Sequence, residues 1–147
     1  MSNETIIKTG TPKTIEANGA SITNNSIVQA DDATYGIFVD GGSYPDAKFV
    51  LAATFSVAPA EGTTIALYAQ SLDIDGTNDT DVPEATRPTV FVGVFVVNNV
   101  TTTQYLELIA NDVPWLASYY LHNNGTGQTI SAGWTLKVTP ATRAPAP

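Results

Sequence analysis

The sequence predicts an all-β protein, a jelly-roll-like β-sandwich of about eight strands with an extended N-terminal arm. Three observations support this prediction. Apolar side chains alternate with small or polar ones in several short segments, turn residues separate those segments, and no segment keeps a helical apolar period for more than two turns. The length of 147 residues is typical of one domain. We expect an arm or edge strands at 1–26, the sandwich at 27–140 and a flexible tail at 141–147.

The N-terminal part of the chain is polar, with isolated isoleucines at Ile6, Ile7, Ile15 and Ile22. This pattern fits either an extended arm or the first edge strands of the sandwich. Residues 35–39 are predicted to form a strand that ends at the turn Asp40-Gly41-Gly42.

The most regular alternation lies at residues 47–57, where one face is fully apolar. Residues 63–72 alternate in the same way, and the short Gly/Pro turn between the two segments predicts a hairpin. Residues 73–88 show no periodicity, and Pro83 and Pro88 exclude an interior strand. We therefore expect a long loop there.

Residues 89–97, TVFVGVFVV, are apolar on both faces. This pattern is typical of a strand that is buried on both sides or covered by another subunit. Further strands are predicted at 104–109, 115–121 and 129–138, the last with Trp134 in the core. The sequence Asn123-Asn-Gly-Thr-Gly127 predicts a hairpin turn before the last strand.

The composition argues against several classes of partner. The net charge is −8, and the six basic residues form no cluster, so we expect no binding to nucleic acid or to an anionic membrane surface. Because cysteine is absent, thiolate-ligated metals are excluded. Charged residues make up only 14% of the chain, well below the usual quarter, and such a surface suits packing against other proteins. The N-terminus has no signal-peptide pattern, which predicts synthesis in the cytoplasm.

No residue pattern predicts catalysis, and we expect neither an enzyme nor a cofactor. The one histidine, His122, is expected to be exposed beside a turn, and no nucleophile elbow or phosphate-binding loop occurs. A hydrolase remains an alternative, in which Glu107 or Asp112 would share a cleft with a second carboxylate.

The loop at 73–88 contains a candidate calcium site. Asp73, Asp75, Asp79 and Asp81 supply the hard oxygen ligands that calcium prefers, although the spacing is not that of an EF-hand. The alternative is an acidic loop that is simply solvated.

Five aromatic residues could form a platform on which sugar rings stack: Tyr105, Trp115, Tyr119, Tyr120 and Trp134. At strand spacing the same residues also suit a sandwich core. A carbohydrate-binding module is therefore an alternative function.

Two segments resemble small structural proteins of tailed bacteriophages. They are Gln128-Thr-Ile-Ser-Ala-Gly-Trp-Thr-Leu-Lys137 and Leu67-Tyr-Ala-Gln-Ser-Leu-Asp-Ile-Asp-Gly-Thr-Asn-Asp79. The strands Phe91-Val-Gly-Val-Phe95 and 115–121 follow in a matching order, and the resemblance covers roughly residues 45 to 140.

The resemblance implies a capsid decoration (cement) protein on the virion surface, made in the host cytoplasm. Its partners would be the major capsid protein and copies of itself, as a homotrimer. An extended arm could add a strand to a neighbour's sheet. The residues that we expect at partner contacts are Ile6, Ile7, Ile15, Phe91, Phe95 and Tyr120.

Overall fold

A computed structural model describes residues 4–42, 44–73, 75–87 and 89–145. In these residues the chain forms nine β-strands and one π-helical turn, Ile37–Gly41, which we call the π-turn. The strands are β1 (Thr5–Thr9), β2 (Lys13–Gly19), β3 (Ile27–Tyr35), β4 (Asp46–Ala53), β5 (Thr64–Ser71), β6 (Val90–Val96), β7 (Gln104–Ala110), β8 (Ala117–Asn124) and β9 (Trp134–Pro145). Among the described residues, no helix has the length and hydropathy that a membrane crossing would require.

The strands form two antiparallel sheets. In the first sheet, β9 pairs with β4, β4 pairs with β7, and β1 and β2 pair with successive parts of β9 on its other side. In the second sheet the order is β3-β8-β5-β6. The eight strands β2 to β9 thus form two four-stranded sheets, β2-β9-β4-β7 and β3-β8-β5-β6, and consecutive strands lie in opposite sheets except for β5 and β6. This order is the jelly-roll arrangement. The predicted all-β sandwich is therefore confirmed.

The core lies between the inner faces of the two sheets. Its largest fully buried side chains are Trp134, Tyr35, Tyr119, Phe49, Phe55, Phe95, Ile15, Ile22, Leu51, Ile65, Leu67 and Leu121. Trp134 is in the core as predicted, and its indole nitrogen donates to the carbonyl oxygen of Ala20 at 2.7 Å. A Cβ on Gly19 would come within 2.0 Å of the Trp134 ring, so this approach of strand β2 to the indole requires glycine.

Both predicted hairpins are wrong. β4 and β5 lie in different sheets, and so do β8 and β9, so the turns at 58–62 and 123–127 connect the sheets across the sandwich. The physical reason is that alternation reports which face of a strand is buried. Two strands that cover the same core from opposite sides have the same alternation as two paired strands.

The chain ends differ from the predicted tail. Residues 141–145 continue β9 and pair with Thr5–Thr9, so the prediction of a flexible tail is wrong for them, and residues 146–147 lie outside the described residues. Proline and alanine suggested disorder, yet a strand at a sheet edge tolerates proline. In residues 4–26 the structure places edge strands, not a free arm. Residues 35–39, predicted as a strand, contain the end of β3 and the beginning of the π-turn.

Candidate interaction surface

The outer face of the second sheet is the most distinctive surface of the molecule. Ile65, Leu67 and Ala69 of β5 point into the core, so the alternate residues of β5 and their paired neighbours point outward. We call these outward residues the neutral face: Ile27, Gln29, Thr64, Ala66, Tyr68, Gln70, Phe91, Val94, Val96, Ser118, Tyr120, His122 and Asn124. None of them is Asp, Glu, Lys or Arg, although the chain as a whole carries a net charge of −8.

The centre of the neutral face is tightly packed. The ring of Tyr68 lies 5.6 Å from the ring of Phe91 and 6.1 Å from that of His122. His122 and Tyr120 are 9% and 7% exposed, because bulky neighbours on the same sheet cover them. Burial raises the pKa of Tyr120. The expectation of an exposed His122 is therefore wrong.

The edge of the neutral face is strand β6. Phe91, Val94 and Val96 are 58%, 37% and 56% exposed, and β6 is the last strand in the sheet order. Proteins usually protect an edge strand with charges, proline or a covering segment, because its unpaired backbone groups can pair with another chain. Strand β6 contains no charged residue and no proline. An apolar strand at a sheet edge is a natural place for another protein to bind.

The six predicted contact residues differ widely in exposure. Ile7 and Phe91 are 70% and 58% exposed, and Ile6 is partly buried. Ile15 and Phe95 are fully buried in the core, so the prediction that they contact a partner is wrong. Tyr120 lies on the neutral face but is almost covered. The prediction failed for Ile15 and Phe95 because a one-residue difference in register decides which face of a strand is buried.

Tyr68, Val94 and Val96 belong to the neutral face but were not predicted. Gly93 carries the signal that could have identified them. A Cβ on Gly93 would come within 2.4 Å of the Leu108 side chain of the first sheet, so Gly93 faces inward. Val94 and Val96, which alternate with Gly93 and the buried Phe95, face outward. In TVFVGVFVV the glycine marks the close approach of the two sheets.

The predicted calcium ligands do not converge. The carboxylates of Asp73, Asp75 and Asp79 accept hydrogen bonds from within the loop, for example from the Asp73 backbone to Asp79 at 2.8 Å and from the Thr77 hydroxyl to Asp75 at 2.7 Å. The hydrogen bonds from the Thr77 hydroxyl and the Thr77 backbone amide lower the pKa of Asp75. In the described ranges the one group of three acids whose oxygens lie close together is Glu16, Asp31 and Asp32.

The Glu16 group is explained by the backbone around it. The two Glu16 oxygens accept hydrogen bonds from the backbone amides of Asn18 and Asp31, at 2.9 and 3.0 Å, and Asp32 accepts one from Ala17 at 2.7 Å. These contacts join β2 to β3 across the edge of the sandwich. They account for the position of the carboxylates without a metal.

The two carboxylates considered for hydrolysis, Glu107 and Asp112, do not line the same groove. Glu107 is on the outer face of β7, about half exposed, with an oxygen 3.8 Å from the Lys48 amine. It borders a groove of about 240 Å³ that also contains Asp46, Ile109 and Arg143. Asp112 is in the loop after β7, where its backbone amide donates to Asp46 at 3.3 Å, and it does not line this groove.

The five aromatic residues considered for sugar binding do not form one platform. Tyr119 and Trp134 are in the core, and Tyr120 is nearly covered. Tyr105 and Trp115 are 77% and 63% exposed, but Tyr105 is near the start of β7 and Trp115 follows its end, so the length of the strand separates them.

A different aromatic pair forms at the π-turn. The ring of Phe38 stacks on Trp115 with centroids 5.0 Å apart, and both rings are more than half exposed. The Phe38 amide donates to the carbonyl oxygen of Trp115 at 3.2 Å. A Cβ on Gly36 would come within 1.9 Å of that oxygen, so the contact of the two loops depends on glycine. The sequence pattern of 35–39 indicated a strand and hid the role of Phe38.

Comparisons with known proteins give no family. No family model matches the chain, and no curated protein matches its sequence. Among solved structures, the chain is similar to the crystal structure of SPBc2 prophage-derived protein YomS, with a TM-score of 0.39 and 12% identity, over 93% of this chain and 96% of that one.

Proposed function

We propose that this chain is a structural protein of a bacteriophage virion, which decorates and stabilises the capsid by binding neighbouring capsid subunits and copies of itself. The observation that carries the proposal is the neutral face with its apolar edge strand β6. The assignment to a phage capsid comes from the sequence resemblance at 45–140. A function in binding needs a rigid scaffold with an exposed apolar surface, and the jelly roll supplies both.

The size of the neutral face suits many weak contacts. A stable interface between two proteins uses about 20–30 residues on each side. The neutral face has thirteen, counted from the strand pairings. One such contact is therefore modest, and attachment would gain strength from several copies bound at once, as in a homotrimer over a local threefold axis of a shell.

The test replaces one exposed valine of β6. Val96→Lys places a charge on the neutral face at a side chain that is 56% exposed, so the fold should be retained and binding to the phage's undecorated shells should fall at least tenfold, as measured by cosedimentation. The matched control is Ile109→Lys, at an exposed apolar residue of the first sheet. If Val96→Lys binds shells like the unchanged protein, the neutral face is not the contact.

The aromatic pair Phe38–Trp115 favours a second candidate, a carbohydrate-binding accessory module of a phage tail or fibre. Two stacked and exposed rings offer an apolar surface of the kind on which a sugar can pack. Glycan-array binding that is lost in Trp115→Ala and kept in Val96→Lys would favour this candidate over the first. Absence of any glycan binding would remove it.

A further inference from the structure

Three buried polar atoms belong to the π-turn and to the strands β3 and β8. They are the hydroxyl oxygens of Tyr35 and Tyr119 and one carboxylate oxygen of Asp40, Oδ2, and none has a hydrogen-bond partner within the described residues. Tyr35 and Tyr119 are fully buried. A buried polar group without a partner costs about 1–3 kcal/mol, so three in one place require an explanation.

The rings of Tyr35 and Tyr119 are neighbours, and the charge of Asp40 acts on both phenols. Tyr35 ends β3, Tyr119 lies on the neighbouring strand β8, and their ring centroids are 6.5 Å apart. Asp40 comes from the π-turn that closes over them, and its other oxygen is 2.8 Å from the Lys13 amine of β2. Burial, followed by the charge of Asp40, raises the pKa of Tyr35 to about 12. Burial, followed by the charges of Tyr35 and Asp40, also raises the pKa of Tyr119. Both phenols therefore keep their protons and remain donors.

We propose that this cluster is a binding site for one ordered water molecule. The water would accept a hydrogen bond from each phenol and donate one to Asp40 Oδ2. That is three hydrogen bonds, the usual number for a buried water. None of the three atoms makes a direct hydrogen bond within the described residues. Polar groups of this kind are commonly bridged by solvent.

The water would connect the π-turn to both sheets. Asp40 reaches β2 through Lys13, and through the water it would reach β3 and β8. The same turn carries Phe38, which stacks on Trp115 at the surface. The buried site would therefore fix the position of the exposed aromatic pair.

Removal of the hydroxyls tests the proposal, because a fall or a rise in melting temperature tells whether each hydroxyl has a hydrogen-bond partner. If each phenol is bonded to the water, Tyr35→Phe and Tyr119→Phe each lower the melting temperature by about 3 °C. Because they share one water, the two losses should not add in the double variant. The matched control is Tyr120→Phe, which removes the same oxygen from the other face of β8 and should leave the melting temperature nearly unchanged.

A crystal structure of the unchanged protein at high resolution supplies the second measurement. We expect a solvent peak within about 2.6–3.2 Å of all three oxygens. A rise in melting temperature for either Tyr→Phe variant would show that the hydroxyls are unsatisfied and would overturn the proposal. Density for a direct bond between a phenol and Asp40, without a solvent peak, would also overturn it.

Discussion

At the scale of single residues, Asn123 holds the connection between the two sheets. Its side chain is fully buried, and its amide donates to the carbonyl oxygens of Ile22 at 3.0 Å and Gln128 at 2.7 Å. Its carbonyl oxygen accepts from the Thr126 hydroxyl at 2.5 Å. The sequence Asn123-Asn-Gly predicts a hairpin, because it indicates only that the chain turns there. It carries no information about distant groups such as Ile22. The long-range role of Asn123 could not be predicted.

Replacement of Asn123 should be costly. Asn123→Ala removes three hydrogen bonds from the interior, to two carbonyls and one hydroxyl, so we expect the free energy of unfolding in urea to fall by about 3 kcal/mol. The neighbouring Asn124→Ala is the control, since Asn124 is exposed and a change there should stay within about 0.5 kcal/mol. Equal losses in the two variants would contradict the role assigned to Asn123.

The raised pKa of Tyr35 predicts how the free energy of unfolding changes at alkaline pH. Its pKa is raised from 10.0 to about 12, so the folded protein retains the phenol proton where the unfolded chain loses it. The contribution of Tyr35 to the free energy of unfolding is fully present below pH 10 and is lost as the pH rises from 10 to 12. The burial of Tyr119 acts in the same direction. Urea unfolding at several pH values should show a smaller alkaline loss in Tyr35→Phe than in the unchanged protein. An identical loss in both would contradict this assignment.

At the scale of elements, the sequence predicts strands well and their pairing poorly. The alternation at 47–57 corresponds to β4, whose Phe49, Leu51 and Ala53 are buried. Which sheet each strand enters depends on contacts between distant segments, and alternation contains no information on them. The same limit applies to β1 and the end of β9. Each is polar or rich in proline and alanine, and each is a strand because it pairs with the other.

The two N-terminal strands should respond differently to deletion. β1 is almost entirely exposed, whereas residues 13–22 contribute Ile15 and Ile22 to the core. Deletion of residues 1–10 should therefore leave a folded sandwich by circular dichroism. Deletion of residues 1–26 should unfold it, since loss of two buried isoleucines alone costs about 4–10 kcal/mol. A folded product of the longer deletion would show that β2 is dispensable and that residues 1–26 act as an arm.

At the scale of the whole molecule, the acidic residues are unevenly distributed. Ten of the fourteen acidic residues lie between Asp31 and Glu84, but none of them is on the neutral face. From the sequence, low charge and the apolar segment 89–97 indicated a surface for protein partners. The neutral face itself could not be predicted, because β5, β6 and β8 are brought together by the fold. It unites side chains from four strands that are distant in the sequence.

This distribution predicts how salt affects association between copies of the chain. Each copy carries a net charge of −8, so two copies repel at long range, while contact through the neutral face forms no ion pair that salt could weaken. The Debye length falls from about 10 Å at 0.1 M salt to about 3 Å at 1 M, which removes most of the repulsion. Sedimentation equilibrium should therefore show self-association that strengthens as salt is raised over this range, and Val96→Lys should abolish it at every concentration. Association that weakens with salt would point to ion pairs, and so to a contact surface outside the neutral face, because Lys and Arg are absent from that face.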